Sequence, residues 1–318
     1  MSFHGWEKSR ILLESGEEVD GIAPVIVSAS RATDIPAFFA PWFISRLKEG
    51  YVQWTNPFNA KQVQYVSFRN TRVIVFWSKN PSPLLPFLCE LDVMGIGYYF
   101  QFTLNDYEEE KLELNLPSLQ ARVETFRMLA DSIGRKRVIW RFDPLMLSRS
   151  LSVDVLLDRI ARLAEMLRGY TEKLVVSFVD IERYRMVRKR LARLGIEARE
   201  FTPAEMVEFA EKLLSLNQSW GFEIATCAEE IELDGIAHNR CIDDRLMRDL
   251  FGKDEELMDF PGFSQDLFGP SSFPSGIKDR GQRKLCGCIA SKDIGRYGTC
   301  NHHCVYCYAN LPGNGPHF

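Results

Sequence analysis

The sequence predicts an α/β protein: a parallel β/α barrel of TIM-like type with a C-terminal cysteine-rich cap. Three observations predict it. About seven short β-branched or aromatic runs fall within residues 1–226, most of them separated by helix-length amphipathic segments. Such alternation implies a mostly parallel sheet. No GxGxxG follows the first run, and this number of strands over this length fits an eightfold-like or slightly incomplete ring better than a doubly wound sheet. The composition then changes after Cys227, where cysteines gather. The domains therefore read as a barrel over 1–226 and a cap over 227–318 packed on the barrel mouth.

Each element has a local reason. Residues 24–29 (PVIVSA) have a strand's composition, and 38–50 read as a helix stopped by Gly50. Residues 51–55 are a second strand, ended by Asn56 and a proline, and 72–78 (RVIVFWS) are the clearest strand. A helix over 83–94 leads to a strand over 97–104. The helix at 118–133 carries Leu119, Val123, Phe126 and Leu129 at helical spacing. Strands at 137–142, 173–179 and 221–226 alternate with helices at 153–167, 184–194 and 202–219. The last helix has Thr202 as its cap, Pro203 at its first position and Glu205 as reciprocal capping partner. Residues 257–278, rich in Phe, Pro, Ser and Gly, read as a loop.

Composition narrows the function. The chain has 318 residues, 46% hydrophobic and 26% charged, which fits a globular protein. Its net charge of -4 argues against bulk nucleic-acid binding. No apolar run is long enough for a membrane helix, and residues 1–16 lack a signal peptide's apolar core. The expectation is a cytoplasmic protein without membrane partners. In that reducing compartment its 8 cysteines are not expected to form disulfides. Cys89, in an apolar helical run, reads as a core residue.

In a parallel barrel, chemistry gathers at the C-terminal strand ends. Ser28, Ser30, Arg31 and Asp34 follow the first strand, and Asn56 the second. Ser78 and Lys79 follow the third, Asn105 and Asp106 the fourth, Arg141 and Asp143 the fifth, Ser177 and Asp180 the sixth, and Cys227 and Glu229 the seventh. Strand ends also simply meet solvent, so any one of these has a bland explanation. Arg141 is less easily explained, because Trp140 and Phe142 flank it and a buried guanidinium requires an anion. Asp143 and Asp34 are the candidate partners, with a ligand carboxylate or phosphate as the alternative. Arg31, Asp34, Arg141 and Asp143 are the candidate catalytic residues. Ser30, Asn56, Lys79 and Asn105 are candidate cofactor contacts. The cations suggest an anionic or carbonyl-bearing small molecule, with a nucleotide or a peptide left open.

The most informative stretch is GTCNHHCVYCYAN (298–310), in which Cys300, Cys304 and Cys307 are spaced CxxxCxxC. Three thiolates on one short loop can hold a cubic iron-sulfur cluster and leave one iron open. Structural zinc is the alternative, with His302 or His303 as fourth ligand. The spacing, with Tyr306 at its aromatic position, resembles the CxxxCxΦC signature of the radical S-adenosylmethionine superfamily, and CxYCYAN resembles its spore photoproduct lyase branch. That resemblance implies a [4Fe-4S] cluster on Cys300, Cys304 and Cys307, with Tyr306 beside it. It also implies bound S-adenosylmethionine, a 5′-deoxyadenosyl radical, an electron donor such as flavodoxin or ferredoxin, and a full or partial parallel barrel. In that superfamily the loop follows the first strand. Here it comes last, so the barrel would be permuted or the tail would fold back over its mouth.

The whole chain resembles the uncharacterised bacterial family called domain of unknown function 1848, through SASRATDIPAF (28–38), VFWSKNP (75–81), WRFDP (140–144), CGC (286–288) and the final motif. Cys227, Cys241, Cys286 and Cys288 remain, the number that would ligate a second [4Fe-4S] cluster; buried thiols acting as small apolar groups are the alternative. A radical enzyme is thus the leading expectation. A non-radical iron-sulfur protein or a zinc-stabilised barrel that binds a small molecule or carries electrons is the other.

Overall fold

A computed structural model of the chain describes residues 5–56, 59–227, 229–260, 278–279, 282–283 and 285–310. A hairpin of β1 (Glu7–Leu12) and β2 (Glu18–Ala23) precedes β3 (Ile26–Ala29). Next come α1 (Ile35–Phe38), α2 (Ala40–Glu49), β4 (Tyr51–Asn56), β5 (Asn59–Ser67) and β6 (Val73–Ser78). A 3-10 segment (Ser82–Phe87) leads into α3 (Leu88–Val93) and β7 (Gly97–Thr103). The series continues with α4 (Leu119–Ile133), β8 (Val138–Leu145), α5 (Val153–Leu167) and β9 (Lys173–Phe178). It then runs through α6 (Arg185–Arg193), α7 (Pro203–Asn217) and β10 (Glu223–Thr226). The C-terminal part adds β11 (Ala237–His238), α8 (Asp244–Phe251), α9 (Glu255–Met258) and β12 (Lys292–Asp293).

The apolar strands form one sheet of 8 strands in the order β11-β10-β9-β8-β7-β6-β3-β12. Every pair in it is parallel. The order follows the chain except that β12 returns to lie beside β3. The expected large parallel sheet is present, and one strand expectation needs correction. The closed ring is not drawn by these hydrogen bonds: among the described residues β11 and β12 are unjoined edges, each only 2 residues long. The segment at 51–55, expected in the ring, instead belongs to a separate 4-stranded sheet, β1-β2-β5-β4. There β4 pairs antiparallel with β5, the next strand in sequence. Local hairpin pairing takes β4 out of the parallel sheet, since a short connection suits antiparallel neighbours.

Strand side chains alternate between faces, so each strand of a sheet covered on both sides must be apolar at successive positions. One face carries Ile74, Phe76, Phe100, Phe102, Trp140, Phe142 and Val176, packed in a core with Phe43, Phe126, Ile160 and Phe209 of the helices. The other carries Val73, Val75, Tyr99, Ile139 and Val175, in a second core with Cys241, Ile242, Met247, Leu257, Cys286, Cys288 and Ile289. The segment after Cys227 therefore supplies the second covering layer and both edge strands. Cys89, expected in the core, is exposed, because α3 buries Leu88 and Leu91 instead. Of the expected loop at 257–278, residues 261–277 lie outside the described residues, while Leu257 is buried on α9. No helix among the described residues is long and apolar enough to cross a membrane.

The capping box at α7 is present: Glu205 N donates to Thr202 Oγ1 at 3.3 Å and Thr202 N to Glu205 Oε2 at 2.9 Å. Thr202→Ala should cost about 1 kcal/mol. Calorimetry should show a melting temperature lower by about 2–4 °C; an unchanged value would mean that packing alone holds the entry to α7.

Candidate metal and active site

The turn after β3 is built round Asp34. Its side chain caps α1, accepting from Ala37 N at 3.0 Å. The same carboxylate accepts from Ser78 Oγ at 2.7 Å and from Lys79 N at 2.8 Å, at the end of β6. His302 Nε2, within the cysteine loop, stands 2.8 Å from Asp34 Oδ2. The loop is thus fastened to the C-terminal ends of β3 and β6. Further ties are Ile294 N to Ser28 O at 3.1 Å and Tyr308 Oη to Arg31 O at 3.3 Å. Asp293 Oδ2 accepts from Ser28 Oγ and Arg31 N, both at 2.8 Å. Gly295 lies so close to Ser30 that a Cβ there would sit 1.7 Å from its Oγ. A side chain at 295 would push the loop away.

A second polar group lies behind the motif. Lys79 Nζ donates to Glu113 Oε1 at 2.7 Å and to Tyr306 Oη at 2.9 Å. Asn105 Nδ2 reaches Glu113 at 3.2 Å and Tyr306 Oη at 3.0 Å, and Tyr306 donates to Glu113. Arg122 Nη1 lies 3.5 Å from the other Glu113 oxygen. Burial works to raise the Glu113 pKa, but Lys79 and Arg122 prevail and hold it below its ordinary value. Burial lowers and Glu113 raises the Lys79 pKa, with a net rise. Burial pushes the Tyr306 phenol well up. Glu113 is therefore a carboxylate and Lys79 a cation, each the other's condition for being buried. Sequence reasoning brought Lys79, Asn105 and Tyr306 forward but missed Glu113 and Arg122. Arg122 had a signal, since it shares the apolar face of α4 with Val123, Phe126 and Leu129. Glu113 had none.

The motif loop runs alongside residues 112–115. Val305 N donates to Leu112 O at 2.8 Å, Asn115 N to His302 O at 3.3 Å, and Asn115 Nδ2 to Asn301 O at 2.7 Å. From α6, Arg190 donates to Cys304 O at 3.2 Å and also to Cys307 O. Cys300, Cys304 and Cys307 are free thiols within one another's electrostatic reach. Burial, and after it Asp34, push the Cys300 thiol up to about 12, and burial pushes Cys304 well up. Such thiols become thiolates when a metal displaces the proton. Among the described residues, no group of three or more His, Cys, Asp or Glu side chains is placed to hold a metal ion as it stands. The donor chemistry nonetheless fits an iron-sulfur cluster, with three thiols on one loop whose carbonyls are pinned. His302, one of the two histidines offered as a fourth zinc ligand, faces Asp34 and Asn115 O with its two ring nitrogens.

The other expected residues are placed as follows. Arg141 pairs with Asp143, at 3.1 Å from Nε and 2.5 Å from Nη2, and not with Asp34. Its Nη1 donates to Gln101 Oε1 and to Cys241 Sγ, both at 3.1 Å. These contacts occupy both edges of the guanidinium, so Arg141 has its anion within the protein. Burial works to raise the Asp143 pKa, but Arg141 and Ser177 hold it down. Arg31 Nη1 lies 3.3 Å from Asp279, over the Trp77 ring. Ser30 Oγ accepts from Ala32 N and Thr33 N, shaping the turn. Asn56 is not brought to this group; it lies on β4 and donates to Gln62 at 2.7 Å. Cys227, Cys241, Cys286 and Cys288 gather elsewhere, in the second core.

A conserved-family model described as Domain of unknown function (DUF1848) matches residues 26–309, and the chain belongs to that family. The match spans the sheet, the Asp34 turn and the whole cysteine motif. No curated protein matches the chain.

Glu113→Gln leaves Lys79 and Arg122 without their buried anion and should cost about 3 kcal/mol in unfolding free energy. The folded pKa of Glu113 lies below its ordinary 4.5, so its contribution is present above that pH and is lost as pH falls. Denaturant titrations from pH 7 down to pH 3 should show an acid-side loss that is smaller in Glu113→Gln. Parallel curves would assign the acid sensitivity to other carboxylates.

Proposed function

We propose that this protein is a radical S-adenosylmethionine-type enzyme acting on a small molecule or nucleotide. We read its sheet as a barrel slit between β11 and β12, with the site at the C-terminal strand ends. One observation carries the reading. The CxxxCxΦC loop, which ends the sequence pattern instead of opening it, is bonded through His302, Tyr306 and Tyr308 to Asp34, Lys79, Asn105 and Arg31 after β3, β6 and β7. That is the end of a parallel sheet where reacting groups collect.

Cys300, Cys304 and Cys307 would hold the cluster. When bound, a [4Fe-4S] cluster supplies the electron that cleaves S-adenosylmethionine reductively and releases a hydrogen-abstracting radical. The chain's own residues do the rest. Asp34 and His302 hold the loop on the sheet. Arg190 fixes the carbonyls of Cys304 and Cys307 and brings positive charge to the thiolates. Tyr306 anchors the loop to the Lys79–Glu113 pair. A reductant of the flavodoxin or ferredoxin class and a cytoplasmic setting belong to this reading.

Anaerobic reconstitution with iron and sulfide, followed by reduction, tests it. The wild-type chain should convert S-adenosylmethionine to 5′-deoxyadenosine and methionine. A chain with Cys300, Cys304 and Cys307 all changed to Ala should make no product and bind about four fewer iron atoms. An equal iron content in the two chains, or no cleavage by the reconstituted wild type, would overturn the proposal.

A further inference from the structure

Four cysteines far apart in the chain meet on the sheet face that the C-terminal segment covers. Cys227 Sγ lies 3.7 Å from Cys241 Sγ. Cys288 Sγ accepts from the backbone N–H of Cys241 at 3.3 Å and of Ile242 at 3.4 Å. Cys286 Sγ contacts Cys288 Sγ in turn. Cys241, Cys286 and Cys288 are 6%, 7% and 1% exposed. Gly287 makes the tight turn possible, for a Cβ there would meet Arg240 Cγ at 2.8 Å.

The surroundings are built for anionic sulfur. Cys241 Sγ receives Arg141 Nη1 at 3.1 Å and Asn239 Nδ2 at 3.3 Å, in addition to the two N–H groups on Cys288. A neutral thiol is a weak acceptor, whereas a thiolate takes charge-assisted bonds from such donors. Arg31 adds a second buried positive charge that interacts with Cys288 and Cys241. Donors and cations thus stand around these sulfurs as they would around thiolates.

We propose that Cys227, Cys241, Cys286 and Cys288 form a second metal centre of four thiolates, separate from the motif loop, beside the guanidiniums of Arg141 and Arg31. Four thiolates on one divalent ion, or on a four-iron cluster of charge +2, leave about two excess negative charges, and these two cations, which also pair with Asp143 and Asp279, lower the cost of holding them. The sulfurs touch in the sequence 227–241–288–286, and binding draws this chain of contacts round the metal. The site stands on its own contacts and does not require the catalytic reading of the loop.

The test uses the full chain in which Cys300, Cys304 and Cys307 are Ala, so that metal on the loop cannot be mistaken for it. One portion is reconstituted with iron and sulfide and another is loaded with zinc, and metal per chain is measured after a chelator wash. The expected result is about four iron with sulfide, or about one zinc, retained per chain. The arm that retains metal identifies which centre it is. Adding Cys286→Ser, the mildest change, should weaken retention at least about tenfold with an unchanged far-ultraviolet spectrum. No retention in either arm, or retention unaffected by Cys286→Ser, would overturn the proposal while leaving the loop's role to its own assay.

Discussion

The Asp34 carboxylate is the interaction on which the arrangement of the site depends. It lies in the turn after the first strand of the parallel sheet, yet its two oxygens serve three separate parts of the chain. One part is the first turn of α1, another is the end of β6, and the third is His302 in the cysteine loop, 268 residues away. A buried carboxylate tolerates its charge only when hydrogen-bond donors surround it. The loop supplies one of those donors, so its docking completes the set around the turn. Without Asp34 the loop would still be tied at Ile294 and Tyr308, but the His302 end would lose its partner.

Around that point the molecule separates its charges by location. The Lys79–Glu113–Arg122 group sits behind Tyr306, and Arg141 with Asp143 sits toward the other cysteines. Asn105 joins the two, donating to Glu113 and Tyr306 while its Oδ1 accepts from Asp143 N at 2.9 Å. A continuous polar path therefore runs through the strand ends from one cysteine group to the other. Low polarity around such a path strengthens each bond and penalises each omission. The same two-residue alternation that places Gln101 and Arg141 toward Cys241 turns Phe100 and Trp140 to the helices.

Much of the fold was legible because β-branched runs and helix caps are local signals. The runs at 72–78 and 97–104, the amphipathic helix at 153–167 and the Thr202–Glu205 capping box all appear where periodicity and cap chemistry put them. The charged hairpin of β1 and β2 and the polar strand β5 escaped, since their alternation is masked by Glu, Lys, Arg and Gln. Edge strands of two residues carry no pattern at all. At the site, spacing was enough to single out Cys300, Cys304 and Cys307, because they are neighbours in the chain. Glu113 lies in a segment without periodicity, and only the folded path of residues 112–115 beside the loop brings it to Lys79. Asn56 failed for a related reason: its strand was assigned to the wrong sheet, and a strand-end residue is only as well placed as its strand.

The position of β12 beside β3 has a consequence for biogenesis. A ribosome delivers β3 and the strands through β10 well before it delivers β12 and the cysteine loop. During that interval one face of the sheet lacks its cover and Asp34 lacks His302. Helices α1 to α7 can already pack on their face, so the nascent chain holds a half-covered sheet whose apolar side is open to chaperones. A chain interrupted before residue 300 would carry the sheet without the cysteine loop and without the His302 partner of Asp34.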